Sequence, residues 1–182
     1  SIPSMADYKT LDDLFAAVSL DGLRVLVRAD LNVPMQDGKV SDATRIERVA
    51  PTLTELAGHG AKVIVLSHFG RPKGAPEEKY SLKPVAEALG AHVGVAVSFA
   101  EDCVGDKAAN AAKAMKPGTI LALENTRFHA GEENNDPAFA EALAGIGNVY
   151  INDCPLYTHD AADDLAAADL PRVHSTMRHI SH

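Results

Sequence analysis

Short apolar segments alternate with segments of helical periodicity along most of the chain. Apolar segments rich in β-branched residues predict five strands, at residues 24–30, 61–67, 93–99, 119–125 and 149–153. Between them, apolar residues recur at helical spacing and predict helices over residues 41–60, 81–90 and 136–147. Near-continuous apolar strands separated by helices predict one α/β domain, a doubly wound, Rossmann-like parallel sheet with helices on both faces.

Polar residues stand where the predicted helices begin, and glycines stand where they end. Asp42, Ser81 and Asp136 are residue types that accept hydrogen bonds from the free N–H groups of a first helical turn. Gly58 or Gly60 is expected to end the first of these helices. No internal repeat or linker interrupts the pattern before about residue 155, so a single domain is predicted up to residue 154.

Composition and charge narrow the classes of function. The 182 residues are 46% hydrophobic and carry a formal net charge of -8, which argues against general binding of nucleic acid or of anionic membranes. The two cysteines, Cys103 and Cys154, have no paired spacing and indicate a reducing compartment. No apolar segment reaches membrane-spanning length and no signal-peptide pattern is visible, so a cytoplasmic location is predicted. Residues 1–8 are interpreted as a tag remnant or N-terminal arm.

Polar side chains follow four of the five predicted strands. In chain order they are Asp30 and Asn32, then His68 and Arg71, then Asn125, Arg127 and His129, and finally Asp153 and His159. The carboxyl ends of parallel strands share one edge of a sheet, and ligands of doubly wound folds bind outside that edge. Arg45, at the start of the first predicted helix, can reach the same edge.

These residue types fit a small, doubly anionic, oxygen-rich ligand. Arg45, Arg71 and Arg127 carry planar guanidinium groups suited to phosphate or carboxylate, and His68 is a further potential cation and donor. Gly70 would let the backbone approach such a ligand closely. Each residue alone is more often a solvated surface group, so the hypothesis depends on their convergence. Asp30 and Asn32 would contact hydroxyl groups of the ligand. They could equally be turn-forming residues, since the segment "QDGK" that follows them reads as a turn.

A metal site is not assigned from the sequence. One histidine lies close to several acidic residues near the end of the chain, namely His159, Asp160, Asp163 and Asp164. Exposed acidic residues of a helix are the commoner explanation for such a group, and no phosphate-binding Walker A pattern occurs elsewhere.

Four long segments resemble the N-terminal half of phosphoglycerate kinases. They are "VLVRADLNVPMQDGKVSDATRIERVAPTLTELAGHGAKVIVLSHFGRPKG", "YSLKPVAEALG", "LENTRFHAGEENNDPAFAEALA" and "VYIND", and the resemblance runs from about residue 9 to residue 153. The sequence looks like a bacterial form. The family transfers a phosphoryl group reversibly between 1,3-bisphosphoglycerate and ADP in glycolysis, using a carboxyl group as the acceptor.

The resemblance implies roles for particular residues. Asp30 and Asn32 would hold the hydroxyl and carboxylate region of 3-phosphoglycerate, and Arg45 would help to neutralise the transferring phosphoryl group as a catalytic residue. The substrate phosphate would lie against His68, Arg71 and Arg127. The neighbouring residues of these two substrate-binding segments, Leu31, Phe69 and Gly70, belong to the same predicted site.

The resemblance also implies a second domain that this sequence does not show. In the family, Mg-ATP or Mg-ADP binds to the C-terminal domain, so no cofactor is expected in this chain and no turnover is expected from it alone. Whether the chain by itself counts as an enzyme stays open. The candidate macromolecular partners are a separate C-terminal domain and a second copy of the chain. Binding to nucleic acid or to membranes is not expected.

The resemblance fails after Asp153, so residues 9–154 are predicted to form the phosphoglycerate kinase N-terminal domain and residues 155–182 a divergent, partly helical acidic tail. Asp160 falls where the family has an arginine that binds the substrate phosphate, unless Arg172 or Arg178 replaces that arginine. Frameshift, fusion and design remain alternative origins of the tail. A non-catalytic module for small phosphates and a truncated or engineered folding fragment that dimerises through the tail remain alternative functions.

Overall fold

The computed structural model describes residues 10–154, which form a parallel sheet covered by helices. The sheet contains β1 (Arg24–Arg28), β4 (Lys62–Leu66), β5 (Val97–Ala100), β6 (Ile120–Leu123) and β7 (Val149–Asn152). Its strand order is β5-β6-β4-β1-β7, and each neighbouring pair runs parallel. A two-stranded antiparallel hairpin, β2 (Met35–Gln36) and β3 (Lys39–Val40), follows β1.

Six α-helices connect and cover these strands in the described part of the chain. They are α1 (Leu11–Ala17), α2 (Thr44–Gly58), α3 (Lys83–Gly90), α4 (Gly105–Lys113), α5 (Ala130–Glu133) and α6 (Pro137–Ala144). The predicted doubly wound, Rossmann-like parallel sheet is therefore confirmed, with helices on both of its faces.

Two hydrophobic cores lie on opposite faces of the sheet because successive strand residues point to opposite sides. Val25, Val27, Val63 and Val65 pack on one side with buried residues of α1, α2 and α3. Leu26, Ile64, Leu121 and Tyr150 pack on the other side with α4 and α6. Strands buried on both faces explain why the sequence reads as continuous apolar runs rather than as alternating ones.

The helix starts follow the sequence prediction in outline, with differences in detail. Asp136 accepts a hydrogen bond from the Ala138 amide, as predicted for the start of α6. Asp42 accepts from the amide and hydroxyl of Thr44, although Ala43 is the capping residue of α2. Ser81 stands two residues before α3, and its hydroxyl accepts from the Lys83 amide, although Leu82 is the capping residue.

Several elements depart from the sequence prediction. The third strand begins at Val97 rather than at residue 93, because residues 91–95 form turns and bends after α3. Helix α4 was not predicted, since its buried positions, Ala108 and Ala112, give a weak apolar pattern in an alanine-rich segment. The "QDGK" turn is confirmed as the hairpin turn, where Asp37 and Gly38 both have positive φ.

The structure describes neither residues 1–9 nor residues 155–182. The predictions for the N-terminal arm and for the acidic tail, including His159, Asp160, Asp163 and Asp164, fall outside the described residues. Among residues 10–154, no helix has the length and apolar character needed to cross a membrane.

Candidate anion-binding site at the carboxyl edge of the sheet

The topology places a switch point between β4 and β6 at the carboxyl edge of the sheet, which is the position of the ligand crevice in open α/β sheets. These strands are neighbours, but the chain leaves β4 toward the face that α3 covers and leaves β6 toward the face that α6 covers. Open α/β sheets bind ligands at such a switch point. The residues that follow the two strands, Ser67 to Gly70 and Asn125 to Arg127, line this position.

The loop after β1 lies beside the crevice and carries the first group of predicted site residues. Asp30 accepts a hydrogen bond from the Asn32 amide at 3.2 Å and one from Arg45 at 3.4 Å. Arg45 also donates to the main-chain carbonyl of Asn32. Leu31 is buried and its amide donates to the Ser67 hydroxyl at 3.1 Å, which joins this loop to the end of β4.

Gly70 joins the three loops of the site. Its amide donates to the side-chain oxygen of Asn32 at 2.9 Å, and its carbonyl accepts from Arg127 at 3.2 Å. The backbone of Gly70 has a φ of 62°, and a Cβ atom at this position would lie 2.4 Å from the Tyr80 ring. A glycine is therefore required both by the turn and by the aromatic ring beside it.

Asn125 holds the loops after β4 and β6 together through its side chain. Its oxygen accepts from the amides of Phe69 and Arg127, and its nitrogen donates to the carbonyls of Phe69 and Tyr80. The side chain is fully buried, as is most of Phe69. Asn125 and Phe69 therefore support the edge from inside the fold. Because the Phe69 side chain is buried, its main chain is the part of this residue that a substrate could contact.

A buried carboxylate, Glu132 of α5, orients the cations of the crevice. It lies 3.3 Å from Arg127 and 3.7 Å from Arg28, and its side chain is 1% exposed. Arg28 ends β1 and is itself buried. Neither residue was predicted from the sequence to belong to the site. The signal for Arg28 was a charged residue inside the apolar segment "RVLVRAD", whereas nothing in the local pattern marks Glu132 as buried.

His68 is neutral in this environment, which corrects its interpretation as a potential cation. Burial, with the charges of Arg28, Arg127 and Arg45, lowers the pKa of His68 to about 3. Its Nδ1 lies 3.4 Å from a guanidinium nitrogen of Arg28. Because arginine cannot accept, Nδ1 is the acceptor and the ring proton lies on Nε2, so the neutral ring still offers one donor.

The structure brings Asp30, Asn32, Arg45, His68 and Arg127 together at one edge. Arg71 follows Gly70, but its exposed guanidinium makes no hydrogen bond or ion pair with other residues in the described range 10–154. Of the remaining strand-end residues, His129 pairs with Asp102 at 2.7 Å.

Asp153, at the end of β7, hydrogen-bonds Thr52 of α2. Burial raises the pKa of Asp153 to about 7, although the Thr52 hydrogen bond and the charge of Arg48 oppose the rise. The carboxyl group is therefore partly protonated at neutral pH.

The fold and this edge define a class of protein: a doubly wound α/β domain with a cluster of arginines at the ligand-binding edge of its sheet. A family model described as phosphoglycerate kinase matches residues 15–164, which is most of the chain. The chain belongs to the phosphoglycerate kinase family. The matched range includes residues 155–164, the start of the segment that the sequence predicts to be divergent.

Individual relatives agree with the family match. The chain is 62% identical over 157 residues to a phosphoglycerate kinase of Methylobacterium radiotolerans and 60% identical over 154 residues to one of Rhodospirillum centenum. These alignments cover 86% and 85% of this chain but 38% of each relative. The chain therefore spans well under half the length of the curated relatives it matches.

Solved structures of the same family share the fold. A phosphoglycerate kinase from Coxiella burnetii matches with a TM-score of 0.76 and 32% identity, over 87% of this chain and 40% of that one. The enzyme from Pyrococcus horikoshii matches with a TM-score of 0.78 and 26% identity, over 94% of this chain and 43% of that one.

Proposed function

We propose that this chain is the phosphoglycerate-binding half of a phosphoglycerate kinase. The observation that carries the proposal is the hydrogen-bonded connection of three loops through Gly70, which contacts Asn32 on one side and Arg127 on the other. This connection gathers the ends of β1, β4 and β6 at one edge. The ligands are 3-phosphoglycerate and 1,3-bisphosphoglycerate. Each carries a phosphate at one end and a hydroxyl group in the middle; the other end is a carboxylate in the first and an acyl phosphate in the second.

Each group of the edge suits one part of this ligand. Asp30 and Asn32 offer oxygen and nitrogen atoms to the hydroxyl and carboxylate region. Arg71 and Arg127 offer planar donors to the phosphate, and His68 adds a neutral donor. Arg45 stands in the first turn of α2 with its side chain 44% exposed, so it can turn toward a phosphoryl group at the open side of the edge.

We infer that these 182 residues alone bind the ligand without turning it over. Phosphoryl transfer depends on positioning both substrates and on stabilising the charge between them. The chain covers 38% of its curated relatives, so most of their length has no counterpart in it. The Mg-nucleotide would bind to that other part of the family fold.

The test is a titration of the chain with 3-phosphoglycerate at low ionic strength, followed by amide NMR, with inorganic phosphate as the comparison. We expect saturable shifts around Asp30, His68 and Arg127, at lower concentrations than phosphate needs. Arg71→Gln should weaken binding by roughly tenfold or more, because a charge-assisted contact contributes about 1.5–3 kcal/mol. This variant removes no hydrogen bond or ion pair within residues 10–154.

Lys116→Gln is the matched control, since it removes one exposed positive charge at the opposite edge of the sheet, before β6. It should leave the affinity unchanged. Equal shifts with phosphate and with 3-phosphoglycerate would overturn the proposal and favour a module for small phosphates. A separately produced nucleotide-binding half, added in excess, should restore kinase turnover, and binding without such recovery would restrict the chain to ligand binding.

A further inference from the structure

Three potential metal ligands meet beside the crevice, outside the arginine cluster. Asp102 and Cys103 follow β5, and His129 follows β6, the neighbouring parallel strand. One ligand atom from each residue lies within 4.8 Å of the others, and His129 Nε2 lies 2.7 Å from Asp102 Oδ1. His129 lies 27 positions from Asp102, a spacing without any metal-binding signature, so the sequence pattern does not indicate this cluster.

The donor set of the cluster fits zinc and related ions. A carboxylate oxygen, an imidazole nitrogen and a thiolate sulfur all bind zinc, and three protein ligands with one water is a common tetrahedral arrangement. Ligand atoms of such a site lie about 3.3–3.5 Å apart, given bond lengths of roughly 2.0–2.3 Å. The three ligand atoms, which lie within 4.8 Å of one another, would have to shift by about an ångström to reach this spacing, and the His129 and Asp102 atoms would have to separate from 2.7 Å.

The surroundings leave one side of the cluster open and one side closed. The side chains of Asp102 and His129 are 37% and 33% exposed, so water can reach a bound ion. Cys103 is fully buried and forms the inner wall. The His129 ring packs 5.4 Å from the Phe139 ring, which restrains its orientation. These three residues therefore provide an open fourth position and a fixed imidazole.

The local charge favours a cation. Burial raises the pKa of the Cys103 thiol far above its ordinary value, and the nearby carboxylates of Asp102, Glu124 and Glu132 raise it further. Partial burial opposes ionisation of Asp102, but its interactions with His129 and with the Cys103 and Val104 amides together lower its pKa, so its carboxylate is charged. The same negative field that opposes a bare thiolate attracts a divalent ion.

We propose that Asp102, Cys103 and His129 form a binding site for a divalent transition-metal ion of the zinc class, with water as the fourth ligand. On binding, the S–H bond of Cys103 breaks, a sulfur–metal bond forms and the proton passes to solvent. The His129 proton moves from Nε2 to Nδ1 so that Nε2 can coordinate. The ion cross-links the connection between β5 and α4 to the segment after β6.

The experiment is a titration of the full chain with Cd²⁺ and with Co²⁺, followed by the ultraviolet charge-transfer absorption that only a thiolate–metal bond produces. This signal distinguishes the site from histidine-only binding, which the other histidines of the chain could provide. We expect a one-to-one signal whose apparent affinity rises about tenfold per pH unit, because one thiol proton is released. A Zn²⁺ competition should remove it.

Variants separate this site from others. Cys154→Ser should keep the signal, because Cys154 lies at the end of β7, outside the cluster. Cys103→Ser should abolish it, and His129→Gln should weaken metal binding more than tenfold. Circular dichroism checks that each variant is folded. His129→Gln tests the site without altering the buried thiol, so a folding defect of Cys103→Ser does not end the test. An absent signal in the unaltered chain, or one lost in Cys154→Ser and retained in Cys103→Ser, would overturn the proposal.

Discussion

Partly buried titratable side chains give the candidate site much of its character at the residue scale. His68 lies among three arginines and stays neutral, whereas Asp153 lies near Thr52 and holds its proton to about neutral pH. In both cases the change in pKa favours the uncharged form of the side chain. The edge therefore owes its positive potential to the guanidinium groups.

His68 gives the first prediction. Its ring should remain neutral down to about pH 4 in the free chain, because its pKa is about 3. A bound phosphate should raise this pKa, since its negative charge offsets the field of the arginines. Imidazole NMR, assigned with His68→Gln among the eight histidines, measures both values. Titration of His68 near its ordinary value of 6.5 in the free chain would contradict the burial and charge described here.

Asp153 gives a prediction about stability. Its pKa is about 7 in the folded chain and 3.8 ordinarily, so between these values the folded state binds more protons than the unfolded state. The free energy of unfolding should therefore fall as pH rises from about 4 to about 7. Asp153→Asn removes the ionising group, so the free energy of unfolding of this variant should lack the fall. Measured by urea denaturation, the difference between the variant and the unaltered chain should therefore shift in favour of the variant from about pH 4 to about pH 7.

Glu141→Gln, a change of an exposed carboxylate on α6, serves as the control for Asp153→Asn. Its stability difference from the unaltered chain should stay nearly constant over the same pH range. A flat difference for Asp153→Asn as well would show that the Asp153 carboxyl ionises normally in the folded chain.

The sequence identified the residues that point outward from the strand ends, because the rule that ligands bind at the carboxyl edge applies to any doubly wound sheet. It could not identify Arg28 and Glu132, whose roles depend on burial against each other. It also could not assign the charge of His68, because the lowered pKa comes from three arginines that lie far apart in the sequence. Asn125 was grouped with the strand-end residues able to bind a ligand, yet both polar atoms of its side chain bond within the fold.

At the scale of elements, buried side chains hold the loops after the strands in place by hydrogen-bonding to main-chain groups of other loops. The buried Glu124 carboxylate accepts from the Ser81 hydroxyl at 2.6 Å and from the amides of Leu82 and Asn125 at 2.8 Å. It thereby ties the start of α3 to the end of β6. The contacts with Ser81 and Leu82 connect residues 43 and 42 positions apart, so local propensity could not predict them, although the helices and strands that they connect were largely predicted.

Gly70 gives a prediction for its loop. Gly70→Ala should lower the free energy of unfolding by about 1–3 kcal/mol, because alanine is strained at positive φ and its Cβ would meet the Tyr80 ring. Urea denaturation measures the change. Gly58→Ala, at the end of α2 with no atom within 4 Å of the added Cβ, should instead be neutral or stabilise by up to about 1 kcal/mol. Equal effects of the two substitutions would refute the strain assigned to Gly70.

On the scale of the whole molecule, a chain of net charge -8 concentrates positive charge at one edge of its sheet. Arg28, Arg45, Arg71 and Arg127 follow or face the strand ends there, so the attraction for an anion is local and acts against the overall charge. Local attraction of this kind orients a ligand once it arrives but does not steer it from a distance.

Salt dependence tests this arrangement on the proposed ligand. The dissociation constant of 3-phosphoglycerate should rise with added salt, because the contacts are between charges. At equal ionic strength, sulfate should weaken binding more than chloride, since a tetrahedral dianion competes directly for the guanidinium groups. Equal effects of the two salts would mean that the arginine cluster does not hold the phosphate.

The side chain of Asn125 has a consequence for how the edge opens. Because the buried side-chain amide of Asn125, in the loop after β6, bonds to Phe69 and Tyr80 of the connection after β4, the two loops cannot separate without breaking three hydrogen bonds at once. The two loops should therefore behave as one cooperative unit in hydrogen exchange, and the amides of Phe69 and Arg127 should share a common opening free energy. An edge that opens only as a unit holds its ligand-binding groups in place before the ligand arrives. The conformational entropy lost when an anion binds should therefore be small.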